Sequence, residues 1–309
     1  MDPVDTTTVS SSLTQRLAGL VEAARPRQWV KNFACFAGLI FSGNLLRERS
    51  VVEALLAFVG FCLASSAIYL FNDVCDRALD RLNPDKRTRP IASGRVPVSW
   101  ALGAAAVLAT FAALSAVALP MVCWGLLAVY LVMNVAYSLK FKHTVLLDVG
   151  FIAFGFVLRV LYGVYAVEVK PSSWIVLCMF FLSLFLGFAK RRGELNQMGD
   201  DEPHRRPVLG KYRAGYLDTL LAMTATMSIL CYALYTVNGR PGNATLVVTV
   251  PLVTYGVLRY MLLVMVHGAG ESPDKLLVTD RVLLGTAALW VGLCILILYV
   301  FKHVSVFAS

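Results

Sequence analysis

Apolar runs of membrane-span length, separated by short polar segments, organise almost the whole chain. They fall near 30–46, 51–71, 98–119, 121–137, 145–167, 173–189, 217–237, 244–266 and 282–301. A helix needs about 20 apolar residues to cross the roughly 30 Å hydrocarbon core, so the pattern predicts an all-α bundle of about nine transmembrane helices. The first run is short and carries Gly38, Ser42 and Gly43, which predicts a tilted or partly re-entrant segment. Ahead of it, residues 1–14 are rich in Ser and Thr, with no apolar stretch behind a basic start. The expectation there is a disordered tail over 1–24, not a cleavable signal peptide. Residues 25–303 then form one unit, and 304–309 a C-terminal tail.

Composition agrees with the pattern. At 58% hydrophobic and 15% charged residues over 309, with a mean hydropathy of +0.69, the chain is too apolar for a soluble protein and reads as a polytopic membrane protein. Placing the N-terminus in the cytoplasm puts most of the 28 Lys and Arg residues on that side. Only Arg47, Arg49, Lys170, Arg240 and Lys302 fall opposite, with Arg159 and Arg259 inside spans. This asymmetry predicts an odd number of crossings and cytoplasmic polar loops. The net charge of +9 follows from such loops or from a role in attracting anionic lipid or phosphorylated substrate. Nucleic acid is excluded as a partner, because the basic residues are split among short loops with no soluble module.

Cysteine and histidine offer little chemistry. The seven cysteines are mostly inside apolar runs without a CxxC pair, and His143, His204, His267 and His303 are scattered. Asn243-Ala244-Thr245 matches a glycosylation acceptor only formally, lying against a span.

Polar chemistry concentrates in four segments expected on the cytoplasmic side. The most informative is 72–80, where an apolar run ends in Asn72, Asp73, Asp76 and Asp80. On a helix the three aspartates fall at i, i+3 and i+7 and share a face. Hard oxygen ligands there suit Mg²⁺, which commonly accompanies a diphosphate. Lys86, Arg87 and Arg89 follow within a few residues and supply cations for remaining phosphate oxygens. The other three are 25–32, with Trp29, Lys31 and Asn32; 137–142, with Tyr137, Lys140 and Lys142; and 190–194, with Lys190, Arg191, Arg192 and Glu194. Trp29 also fits an interfacial anchor, the lysines snorkelling, and the Lys-Arg-Arg run a helix-end charge. Arg159 lies deep in an apolar run, where charge is expensive and faces a cavity or a partner.

The run Asn72–Asp80, the following Arg87-Thr88-Arg89-Pro90 and Ser93-Gly94, and Tyr137-x-x-x-Lys140 resemble the UbiA superfamily of intramembrane prenyltransferases, across nearly all the spans. Residues 25–32 and 190–194 are similar to its decaprenyl-phosphate phosphoribosyltransferase branch. That resemblance implies a UbiA-like catalytic domain over 25–303, with cap loops 73–97 and 190–213. It implies Mg²⁺-dependent transfer of 5-phosphoribose from phosphoribosyl diphosphate (PRPP) to polyprenyl (decaprenyl) phosphate, toward cell-wall arabinose donors. Asn72, Asp73 and Asp76 would hold the metal, aided by Asp80. Lys31, Asn32, Arg87, Arg89, Tyr137, Lys140, Arg159, Lys190, Arg191, Arg192 and Glu194 would bind substrate. Ordinary members carry a second Asp-rich motif where this chain has Lys190, Arg191, Arg192 and Glu194, and the extra cations fit a donor with an additional phosphate. Transfer of a prenyl group from a prenyl diphosphate is the nearest alternative. A carrier or flippase for a phosphorylated lipid is another; it predicts charges near the midplane and paired broken helices.

Overall fold

The computed structural model describes residues 12–196, 208–238, 243–268, 276 and 279–300. Helix α1 (Leu13–Ala24) leads through a 3₁₀ segment (Pro26–Phe36) into the short α2 (Ala37–Phe41). Then follow α3 (Glu48–Leu82), α4 (Val98–Ala116), α5 (Met121–Leu139), α6 (Leu147–Ala166), α7 (Ser173–Asn196), α8 (Ala214–Asn238), α9 (Val250–Met265) and α10 (Arg281–Ile295). Among the described residues eight helices, α3 to α10, are long and apolar enough to cross a membrane, α9 with the 3₁₀ turns before it and α10 with the π turns Leu296–Val300 after it.

The first apolar run makes a ninth crossing without being a regular helix. Pairings along it run antiparallel to α3. Arg25 meets Asp73, Trp29 Nε1 donates to Ser66 at 3.0 Å, Asn32 reaches Ser65 and Cys62 at 3.2 Å, and Phe36 packs on Phe58. Beyond it, Tyr299 near the end of α10 donates to the carbonyls of Leu39 and Ile40. A 3₁₀ turn rises about 2.0 Å per residue against 1.5 Å in an α-helix, so 11 and then 5 residues cover roughly 30 Å. Close backbone packing holds this segment: a Cβ on Gly38 would lie 2.6 Å from Val164 Cα, and one on Gly163 1.8 Å from the Cys35 carbonyl oxygen. The expected tilted or re-entrant piece is thus a stretched span laid on α6.

Two sequence boundaries change. Residues 13–24, expected in a disordered tail, form α1, because Ser12 Oγ accepts from Gln15 N while Gln15 Oε1 accepts from Ser12 N. This reciprocal cap satisfies first-turn amides. Likewise α3 continues through the polar segment to Leu82, so the cap expected over 73–97 shortens to 83–97, pinned where Arg81 Nε donates to the Ala92 carbonyl at 2.8 Å. Of the cap expected at 190–213, residues 190–196 belong to α7, and 197–207 lie outside the described residues, as do 1–11 and 304–309.

The antiparallel order brings the ends of α3, α5, α7 and α9 and the starts of α4, α6, α8 and α10 to one face, here the Asp73 face. The 35 residues of α3 span about 52 Å, more than the hydrocarbon core needs, so its polar last turns stand at the membrane mouth. One core packs Phe61, Leu127, Tyr130 and Tyr162 among α3 to α6. A second joins α6 to α10 through Val149, Phe185, Leu221 and Tyr260. Beside the second core, an apolar cavity of about 280 Å³ opens among α2, α6, α7, α8, α9 and α10, lined by Phe41, Cys178, Phe185, Tyr232 and Trp290 among others.

Candidate active site

The aspartates of α3 do share one face, and each faces a cation. Asp73 is 2% exposed; its Oδ1 accepts from Arg25 Nη2 at 2.5 Å and from Arg89 Nη1 at 3.4 Å. The same Arg89 nitrogen lies 2.8 Å from Asp80 Oδ2, so it bridges two buried carboxylates. Asp76 pairs with Lys142 on one oxygen and accepts from Asn72 Nδ2 at 3.1 Å on the other. An unpaired acidic stack with two of its three carboxylates buried would be costly, and the three cations offset that cost. Among the described residues no three His, Cys, Asp or Glu side chains converge as a ready metal cage, which differs from the open carboxylate cluster expected from spacing.

The cations at these carboxylates are only partly those expected. Arg89 is in place, whereas Arg87 and Lys140 are exposed. Lys142, two residues on, is the lysine that reaches Asp76, because the chain turns through the 3₁₀ residues Phe141–His143 after α5. Arg25 was also missed as a ligand of the cluster. It sits at φ +53 between α1 and the 3₁₀ segment, and its guanidinium stacks on the Tyr69 ring at 5.2 Å.

Deeper in the bundle, Arg159 is 6% exposed and has no carboxylate partner among the described residues. Its Nε donates to Asn32 Oδ1 at 2.7 Å, Nη1 to the Gly155 carbonyl at 2.8 Å and Nη2 to Tyr130 Oη at 3.1 Å, with the rings of Phe61, Tyr130 and Phe156 around it. Asn32 is fully buried and links this arginine to α3, while Lys31 beside it is half-buried.

The segment at the end of α7 splits by direction. Arg191, expected at a phosphate, is 1% exposed and turned inward, with Nε 2.7 Å from Asp148 Oδ2 and Nη1 2.6 Å from Glu194 Oε2. Nε and Nη1 are both engaged by carboxylates, and the guanidinium is far less exposed than those of Arg25 and Arg89. Asp148 also accepts from Tyr212 Oη at 2.9 Å, and Tyr212 accepts from Leu146 N, a residue at φ +67. Burial pushes the Tyr212 phenol up, so it stays protonated and keeps donating. Arg192 is held by Asp218 at 2.7 Å and by Asn196. Lys190, with its side chain 42% exposed, stands 4.0 Å from Glu194. Tyr137 packs on Phe151 near this cluster. Of the groups near the last span, Asp280 caps α10 through Leu283 N; hydrogen bonds from Arg259 and that amide hold it below the usual carboxylate range. Asp274 lies outside the described residues.

Eight membrane-length apolar helices among the described residues, with the first apolar run laid against them, define an integral multi-pass membrane protein, with ion-paired carboxylates at one mouth and an apolar cavity between the helices. The model of the UbiA prenyltransferase family matches residues 33–276, and the chain belongs to that family. It is 37% identical over 282 residues to decaprenyl-phosphate phosphoribosyltransferase of Mycobacterium tuberculosis, covering 89% of this chain and 93% of that one. The counterpart of the same name from Corynebacterium glutamicum is 33% identical over 294 residues, covering 91% and 87%. Among solved structures, a UbiA homologue from Archaeoglobus fulgidus bound to DMAPP and Mg²⁺ superposes with a TM-score of 0.71 at 18% identity, covering 91% of this chain and 99% of that one, a likeness of fold.

Proposed function

We propose that the protein is a glycosyltransferase that moves 5-phosphoribose from PRPP to a polyprenyl phosphate such as decaprenyl phosphate, releasing diphosphate, in the supply of arabinan precursors to the cell wall. The observation that carries this is the likeness to phosphoribosyltransferases over about nine tenths of the chain at 33% to 37% identity. The charge pattern supports a plasma-membrane enzyme with the Asp73 face in the cytoplasm, where PRPP is made.

The donor set fits Mg²⁺. Oxygens of Asn72, Asp73, Asp76 and Asp80 on one helix face are hard ligands, and Asp73 and Asp80 already share one cationic nitrogen of Arg89, which supports the reading that carboxylates of this face can share a cation. When bound, Mg²⁺ would neutralise charge on the diphosphate leaving group. Asp73 and Asp76 would hold it, with Asn72 and Asp80 in support.

The residues of the chain do the rest by positioning. Arg25, Arg89 and Lys142 now face carboxylates and are good phosphate ligands, so donor binding exchanges one set of anionic partners for another. Arg87, Lys140 and Lys190 are exposed enough to take further phosphate oxygens. Arg191 acts by fixing the ends of α6 and α7 through Asp148 and Glu194. At the reacting carbon, the ribose C1–O bond to diphosphate breaks, and its electron pair leaves on the diphosphate. A phosphate oxygen of the lipid, already anionic, forms the new C1–O bond. No proton is transferred, and in-line attack turns an α-linked donor into a β-linked product. The 280 Å³ cavity has room for the first few isoprene units, the remainder of the tail lying in lipid.

The test supplies the purified protein in lipid with PRPP labelled in the ribose, Mg²⁺ and decaprenyl phosphate. Label appearing in the lipid product, and absent with Asp73→Asn, is the expected result. Label entering an acceptor from prenyl diphosphate, with none from PRPP, would overturn the reading in favour of prenyl transfer.

A further inference from the structure

Helix α1 divides its surface three ways. One side is buried against the bundle: Gly19 lies against Val96 and Pro90, and Ala23 packs in a cluster with Leu70 and Ile91. A second side carries Gln15 and Glu22, both exposed. The third is an apolar stripe that no described residue covers, Leu13, Leu17 and Val21, exposed at 63%, 50% and 62% and spaced every four residues. We propose that this stripe is seated in the lipid leaflet on the Asp73 side, making α1 an interfacial helix that ties Arg25 to the bilayer surface.

Three observations favour lipid over other occupants. From its capping residue Arg25, which meets Asp73 on α3, through Gly19 against Pro90 and Val96, to Arg16 over Trp100 in the first turn of α4, α1 crosses the mouth of the bundle and does not extend it. At 12 residues it measures about 18 Å, too short to span. Its outer end adjoins the exposed apolar surface of a membrane-length helix: Trp100 carries the Arg16 guanidinium 5.6 Å from its ring, and Leu102, Val107 and Phe111 continue outward along α4. Trp beside Arg is a pairing favoured at headgroup level. A stripe of three side chains is also far smaller than a stable protein interface needs.

The tie to the site rests on the reading of Asp73 as part of the donor site. Helix α1 ends at Arg25, whose backbone turns at φ +53 and whose Nη2 lies 2.5 Å from Asp73. Fixing α1 on the leaflet therefore fixes the base from which that guanidinium reaches the carboxylate.

The experiment uses the full chain in nanodiscs containing phosphatidylglycerol, on a Cys75→Ser background. Nitroxides are placed singly at Gln15, Leu17, Val21 and Glu22. Labels at 17 and 21 are expected to be reached by oxygen and shielded from a water-soluble nickel chelate, with the reverse at 15 and 22. Equal nickel access at all four, or dipolar broadening at 17 and 21 from a second copy, would overturn the proposal. This readout stands whatever reaction the protein runs. Leu17→Asp with Val21→Asp is expected to raise the KM for PRPP by about fivefold or more, the scale of a modest coupling between sites. Unchanged KM alongside correct shielding would overturn the tie to Arg25.

Discussion

At the level of single residues, the proposed function divides the carboxylates and cations of the Asp73 face into those that would meet substrate and those that hold the fold. Asp73→Asn and Asp76→Asn are expected to lower turnover by about a hundredfold or more, the scale for losing an electrostatic contact to the reacting groups, with unfolding temperatures in detergent near wild type. Arg191 behaves differently. Arg191→Ala leaves Asp148 buried without its charge partner, and a buried pair broken on one side costs about 3–5 kcal/mol. Expected is a large drop in thermal stability, read by fluorescence-detected size exclusion, while protein that survives keeps its PRPP affinity. Sequence spacing placed Asp73, Asp76 and Asp80 on one face because helical periodicity is local. It did not separate Arg191 from Lys190, since adjacent residues point about 100° apart and only the position of α6 decides which one is buried. Nor did it single out Lys142, whose reach depends on how the chain turns after Leu139.

For the elements, the apolar runs were sufficient to locate the eight membrane-length helices, because each run falls within the length range of a transmembrane helix. The first crossing was not legible as a 3₁₀ segment. Its path follows from Gly38 and Gly163 meeting α6 and the Cys35 carbonyl at backbone distance, a long-range contact that periodicity does not encode. Helix α1 was legible in principle. Ser12-Leu13-Thr14-Gln15 is a capping-box pattern, hidden by the Ser- and Thr-rich residues before it. Gly163→Ala forces a methyl into the Cys35 carbonyl and is expected to destabilise by about 3 kcal/mol, the upper range for overpacking. Gly103→Ala, where a Cβ meets nothing within 4 Å, serves as the control and should leave the unfolding temperature unchanged.

Across the molecule, three carboxylates and three cations on the Asp73 face are mutually neutralised before substrate arrives. Metal alone must compete with Arg25, Arg89 and Lys142, and donor alone must compete with the aspartates. Binding of Mn²⁺, followed by electron paramagnetic resonance, is therefore expected to be weak in isolation and strongly enhanced by diphosphate. Arg89→Gln should tighten Mn²⁺ binding without diphosphate, and unchanged binding would contradict the competition. Orientation has its own measurement. Cys75 is the one exposed cysteine of the seven, and it lies on the helix that carries the Asp73 cluster. An impermeant maleimide should label it in inverted vesicles and not in right-side-out ones.

The drawn-out first crossing also sets how the protein tolerates bilayers of different thickness. Ordinary spans meet hydrophobic mismatch by tilting, or by using spare turns, as α3 can with residues beyond its apolar stretch. A crossing of 11 residues in 3₁₀ turns and the five of α2, together covering about 30 Å and clamped to α6 at Gly38 and Gly163, has no slack of that kind. In a thicker membrane it must pull Arg25 inward or drag the leaflet thinner around itself, so the acyl length of the surrounding lipid becomes a control on the geometry at Asp73.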